Sequence, residues 1–99
     1  MSDETKTAET TSDRAIISVL GADRSGIVAA VAGLLAERDV NILDISQTIL
    51  QGLFTMTTLV DLNGADFAQI HDGLDALSKE LGVQITIQRE DVFKFMYRL

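Results

Sequence analysis

The stretch from Asn41 to Leu62 constrains the fold more than any other. Asn41 to Leu50 and Leu53 to Leu62 flank Gln51-Gly52. When the two arms pair about that turn, with partner numbers summing to 103, one face collects Leu43, Ile45, Gln47 and Ile49 opposite Val60, Thr58, Met56 and Phe54. The other face collects Asp44, Ser46 and Thr48 opposite Leu59, Thr57 and Thr55. One face is mainly apolar and one mainly polar, as an antiparallel hairpin covered on one side requires. A one-residue slip mixes the two sets, so the pattern selects this register. Gln-Gly is not an ideal two-residue turn, and a four-residue loop preserves the same pairing. Gln47 falls on the apolar face, where it needs a backbone partner or a bulge.

The flanking segments complete the element order. Ala15 to Leu20 is short, β-branched and apolar on both faces, as a central strand is. Gly21 to Gly26 breaks that pattern. Ile27, Val28, Val31, Leu34 and Leu35 recur at helical spacing, predicting a helix over Ser25 to Arg38 with Asp23 or Ser25 near its cap. After Asn63-Gly64, Asp66 and Gln69 make a capping-box-like opening. Phe67, Ile70, Leu74, Leu77 and Leu81 then form one apolar stripe on a helix ending at Gly82. Val83, Ile85 and Ile87 alternate with polar residues as a half-buried strand. The order is β-α-β-β-α-β. Right-handed crossovers turn it into an α+β, ferredoxin-like sandwich with antiparallel sheet order 4-1-3-2.

Two terminal segments lie outside this repeat. Residues 1–13 are rich in Asp, Glu, Thr and Ser, carry −3 of the net charge of −7, and read as a flexible acidic leader. Residues 14–99 are expected to form a single domain that includes an extra C-terminal helix over 90–99, with Val92, Phe95, Met96 and Leu99 on one side. Ten residues are too few for a stable isolated helix, so it must dock. Two destinations stay open: the chain's own core or a second subunit. The sheet edges, with no Pro and sparse charge, also ask for protection, which favours a homodimer.

Composition removes several function classes. Fifteen acidic residues against eight basic ones argue against nucleic acid and against anionic membrane surfaces. With no Cys and one His, disulfides, thiolate metal sites and multi-histidine metal sites are excluded, and no cofactor or metal is expected. No apolar run approaches the roughly 20 residues that span a bilayer. The expected address is cytoplasmic.

The run Gly21-Ala22-Asp23-Arg24-Ser25-Gly26-Ile27-Val28-Ala29, followed by Asp39-Val40-Asn41-Ile42, resembles the ACT domain. The continuation Leu43 to Thr48 and the terminal aromatic helix resemble more narrowly the small, free-standing bacterial ACT proteins related to the glycine cleavage system transcriptional repressor. The resemblance spans Arg14 to Leu99. It implies a non-catalytic regulatory module that binds an amino acid or related small metabolite at a dimer interface. Carried over, the ligand-binding residues are Asp23, Arg24, Ser25, Gly26 and Ile27 on the turn, and Asn41, Ile42 and Leu43 at the next strand's start. These two corners are expected to converge on a shared polar notch. Backbone N–H groups at the helix start suit a carboxylate. Asp23 suits an ammonium group, and Asn41 has both donor and acceptor atoms. Some ligand-binding members carry a polar or imidazole side chain where this chain has Gly21.

Each residue also has a structural reading. Asp23 is at home as a cap, Arg24 as a solvated charge, Gly26 as a point of close helix–sheet approach, and Asn41 in a left-handed turn. His71, with Asp75 four residues on, reads as half of a surface ion pair on the helix face away from any strand-end cleft. There is no G-x-x-x-x-G-K-S/T phosphate loop. The polar hairpin face lacks the stacking aromatics of RNA-binding sheets. The alternative to a sensor is an assembly module without a small ligand. With either, output passes in trans to a regulated enzyme or regulator.

Overall fold

The computed structural model describes residues 13–22 and 25–92. Six elements follow in order: β1 (Arg14–Ala22), α1 (Ile27–Glu37), β2 (Asn41–Leu50), β3 (Leu53–Asp61), α2 (Phe67–Leu81) and β4 (Gln84–Arg89). Every neighbouring pair of strands is antiparallel, and the sheet order is β2-β3-β1-β4. This is the expected 4-1-3-2 order read from the other edge. The leader up to residue 12 and the terminal stretch 93–99 lie outside the described residues, and residues 90–92 begin a helical turn.

Alternation on the central strand fixes the core. Ala15, Ile17 and Val19 on β1 are buried, and Phe54, Met56 and Val60 on β3 stand beside them. Ile27, Val31 and Leu35 of α1 and Ile70 and Leu74 of α2 join the same cluster, so both helices cover one face of the sheet. The α2 stripe is as the spacing predicts, with Phe67, Leu77 and Leu81 at its flanks. Asp66 caps α2 by accepting from Ala68 N–H at 2.9 Å, and Gly82 ends it at φ 70°. The capping box is incomplete, because Gln69 Oε1 accepts instead from Arg38 Nη1 at 2.8 Å and ties α2 to the end of α1. The start of α1 also differs from expectation. Gly26 is its N-cap, at φ 91°, and no side chain caps it.

The hairpin register holds from Asp44 to Leu50, with Ile45 opposite Thr58 and Leu50 opposite Leu53. Gln51 and Gly52 sit at φ 52° and 83°, so a two-residue turn of the type that suits strand twist closes the hairpin directly. Toward the other end Leu43 is a bulge, and Ile42 rather than Leu43 lies opposite Val60. Both residues are apolar, so the alternation could not register the slip.

The larger correction concerns what covers β2. All ten of its residues are exposed, although Ile45, Gln47 and Ile49 do share the helix-side face with buried β3 residues. The reason is position: β2 is the sheet edge, and the buried strand residues that both helices meet come from β1, β3 and β4. Ile42, Leu43, Ile45 and Ile49 are therefore 37–59% exposed. Gln47 meets water and needs no buried partner. The strand has no Pro and a single charge, Asp44, whose Oδ1 accepts from Ile45 N–H at 2.9 Å.

Candidate functional site

The β1–α1 turn and the start of β2 provide two separate chemical environments. At the first, the chain leaves β1 through Gly21 and Ala22 and enters α1 at Ile27. Asp23 and Arg24 lie outside the described residues. Ser25 and Gly26 are exposed. Nothing approaches the place where a Gly26 Cβ would sit, so this glycine serves its left-handed φ and not close helix–sheet packing. Ile27 is 1% exposed, so its side chain belongs to the core and only its backbone faces the turn. The first regular α1 bond runs from Ala30 N–H to Gly26 C=O at 2.9 Å. The N–H groups of Ile27, Val28 and Ala29 precede it and point out of the helix start, where they favour an anion.

Gly21 has a separate constraint. A Cβ there would lie 2.7 Å from Val83 Cγ1 and 2.9 Å from Val83 Cβ. Val83, itself buried, thus fills the place above the end of β1. Gly21→Ala should destabilise the fold by about 1–3 kcal/mol through overpacking, read as a lower urea midpoint with unchanged slope.

The second environment is a surface cavity of about 480 Å³ at the start of β2, lined by Ala36, Asp39, Val40, Asn41, Asp61 and Asn63. Asp39 and Asn63 hold left-handed conformations, at φ 59° and 55°, which turn the chain sharply on both sides of the cavity. Asp61 Oδ1 accepts from Asn63 N–H at 2.9 Å. The α1 C-terminus ends beside the cavity, with Asp39 N–H bonded to Ala36 C=O at 3.1 Å. Two carboxylates and a helix C-terminus make this end favourable to a cation. Ile42 and Leu43 stand next to Asn41, exposed. Asp39, Asp61 and Asn63 were absent from the sequence-based set. Asn63-Gly64 reads only as a turn, and nothing local indicates that it faces Asn41.

Within one chain these environments do not converge. β1 and β2 both pair antiparallel with β3, so they run the same way. Ala22 pairs with Leu53 at one end of β3 and Asn41 with Asp61 at the other. At roughly 3.3 Å per residue the two ends are about 26 Å apart. A notch using both corners takes one from each of two chains.

Arg14 donates to Glu90 through Nε at 3.0 Å and Nη2 at 2.6 Å. Those hydrogen bonds hold the Arg14 pKa above its ordinary value, against some desolvation. His71 lies 3.4 Å from Asp72 rather than pairing with Asp75, which is 3.5 Å from Lys79. Among the described residues no three His, Asp or Glu side chains are grouped to hold a metal ion, and no helix is long and apolar enough to cross a membrane.

Comparison with known proteins places this geometry. Residues 13–88 match the ACT domain family. A UPF0237 protein of Methanocaldococcus jannaschii is 51% identical over 88 residues, covering 87% of this chain and 98% of that one. An ACT domain protein from Streptococcus pneumoniae superposes with a TM-score of 0.74 at 42% identity, covering 85% of this chain and 97% of that chain. A candidate glycine cleavage system transcriptional repressor shares the fold at a TM-score of 0.70 and 20% identity, covering 79% of this chain and 47% of that one. The chain belongs to the ACT domain family, and within it stands with the UPF0237 proteins.

Proposed function

We propose that this chain is a non-catalytic regulatory module of the cytoplasm. It acts as a homodimer and binds an amino acid or related small metabolite where the two copies meet. The observation that carries this reading is the uncovered edge strand β2, ten residues long with Ile42, Leu43, Ile45 and Ile49 exposed. An open, apolar edge is a template for another strand. A two-fold axis pairs β2 antiparallel with its own copy. The ends of the sheet are then exchanged between copies, and the β1–α1 turn of one lies at the same end as Asn41 of the other.

The two halves complement a zwitterion. Ile27, Val28 and Ala29 N–H groups suit the carboxylate, and Asp39, Asp61 and the α1 C-terminus suit the ammonium group. A ligand held this way binds the dimer and not the monomer, so it shifts the assembly equilibrium, and that difference is the signal. A regulated enzyme or regulator reads it in trans.

Titrating the twenty amino acids while following the melting transition tests the ligand. One present at 100 times its Kd should add about 2.7 kcal/mol at fixed protein concentration. A second reading, an assembly module without a small ligand, is favoured by Val83 occupying the space above Gly21. A stable dimer that responds to none of the twenty would select it.

A further inference from the structure

Gln47 is the polar residue out of place on β2. It stands on the helix-side face, opposite Met56, and its neighbours on that face are Ile45 and Ile49, with Ile42 and Leu43 beyond. In one chain its amide meets water. In the β2 dimer, on which this inference rests, the same row is covered, and a covered primary amide needs hydrogen-bond partners. Opposite residues of an antiparallel pair point to the same face, so the registers open to a two-fold pair differ by slips of two residues. The apolar members of the row do not choose among these, because each slip sets mostly apolar side chains against one another. Gln47 does choose.

We propose that Gln47 sets the register in which two copies of this chain join, by hydrogen-bonding to Gln47 of the second copy across the two-fold axis. Three registers keep most of β2 paired, with the axis at Ile45, Ser46 or Gln47. With the axis at Ile45, Gln47 lies opposite Leu43 of the second copy. The two Gln47 residues are then four positions apart along the strands, about 13 Å at roughly 3.3 Å per residue, and both amides are covered without a partner. With the axis at Gln47 the amides meet, but Leu43 runs against the turn residue Gln51 and Ile42 falls outside the pairing. With the axis at Ser46, all of β2 except Asn41 is paired. Ile49 then faces Leu43, Asp44 faces Thr48, and the two Gln47 residues are diagonal neighbours about 7–8 Å apart, within reach of long side chains. Each amide carries both donor and acceptor atoms, so a two-fold pair can bond reciprocally. A lone polar residue fixes the register of an apolar coiled-coil seam in the same way, at some cost in stability. A foreign apolar edge would leave Gln47 covered and unpaired, so the strand selects a second copy of its own chain. The register in turn sets where the β1–α1 turn of one copy lies relative to Asn41 of the other.

Gln47→Leu tests this in the full chain, which has no Cys, combined in turn with a single cysteine at Asp44, Ser46 or Thr48. Gln47 is exposed in one chain, so the substitution leaves the monomer fold intact, as an unchanged far-ultraviolet spectrum will show. With Gln47 present, oxidative cross-linking at Ser46 should exceed that at both flanking positions. In the Gln47→Leu chains sedimentation should show a dimer at least as strong, while cross-linking at the three positions moves toward equality as the strands sample neighbouring registers. A preference for Ser46 that survives Gln47→Leu undiminished overturns the proposal. So does a Gln47→Leu chain that no longer dimerises, since the amide would then supply affinity and not register. A parent chain that sediments as a monomer overturns the dimer reading itself, and sedimentation of that chain alone separates this failure from the other two.

Discussion

Ile17→Ala should destabilise the chain by about 2–5 kcal/mol. Ile17 is fully buried at the centre of β1, the strand with neighbours on both sides, and it lies between Thr58 and Ile87 in register. Its side chain meets the cluster to which both helices contribute, so no single element can close over the vacancy. A domain of this size holds about 5–15 kcal/mol in total, so the variant forfeits a large share of its margin. Urea unfolding at fixed protein concentration reads the change. A loss below about 1 kcal/mol would mean that this face is less tightly packed than its burial indicates.

Ile45→Lys combined with Ile49→Lys should abolish the dimer while sparing the monomer fold. The two side chains are 39% and 59% exposed in one chain, so a charge at either site meets water there. In an edge-to-edge dimer they are covered, and a buried unpaired ammonium group costs several kcal/mol. Two of them per subunit weaken association by at least about a hundredfold, since each 1.4 kcal/mol is a factor of ten. Natural sheets use lysine on edges to the same end. Sedimentation at micromolar protein should show a monomer with an unchanged far-ultraviolet spectrum. A dimer that persists would move the interface away from β2, and with it the shared site.

The parts of this fold that are legible in the sequence are those written in local periodicity. The α2 stripe from Phe67 to Leu81, its stop at Gly82, the apolar run of β1 and the pairing of Asp44 to Leu50 with Leu53 to Leu59 all follow from which residues face the same way. Whether that face is covered is a different kind of fact. The alternation of Ile45 and Ile49 is identical on an edge strand and a central one, and only the area the two helices can cover decides that β2 stays bare. The Leu43 bulge escaped because its neighbour Ile42 is equally apolar. Gln69 completes a capping pattern in the sequence yet bonds Arg38, thirty-one residues away, and Val83 over Gly21 is likewise a contact between distant segments.

The candidate site divides in the same way. Gly26 and Asn41 stand out locally, one by the backbone angle it permits and the other by its place at a strand start. Their separation in one chain follows from the parallel course of β1 and β2, a property of topology. Asp39, Asp61 and Asn63 come together around Asn41 only after β3 has returned alongside β2.

The central claim is that two copies join antiparallel along β2, so that each site takes one corner from each chain. Single cysteines placed in turn at Ile42, Asp44, Ser46, Thr48 and Leu50, in a chain that has none of its own, test it under mild oxidation. A disulfide requires Cα atoms about 5.5–6 Å apart, and in a two-fold antiparallel pair only the position on the axis meets its own mate so closely. Covalent dimer should peak near Ser46 and fall toward both ends of the strand. A Thr86→Cys control on the opposite edge should stay monomeric on a denaturing gel. Uniformly absent cross-linking along β2, or efficient cross-linking at Thr86, would contradict the arrangement.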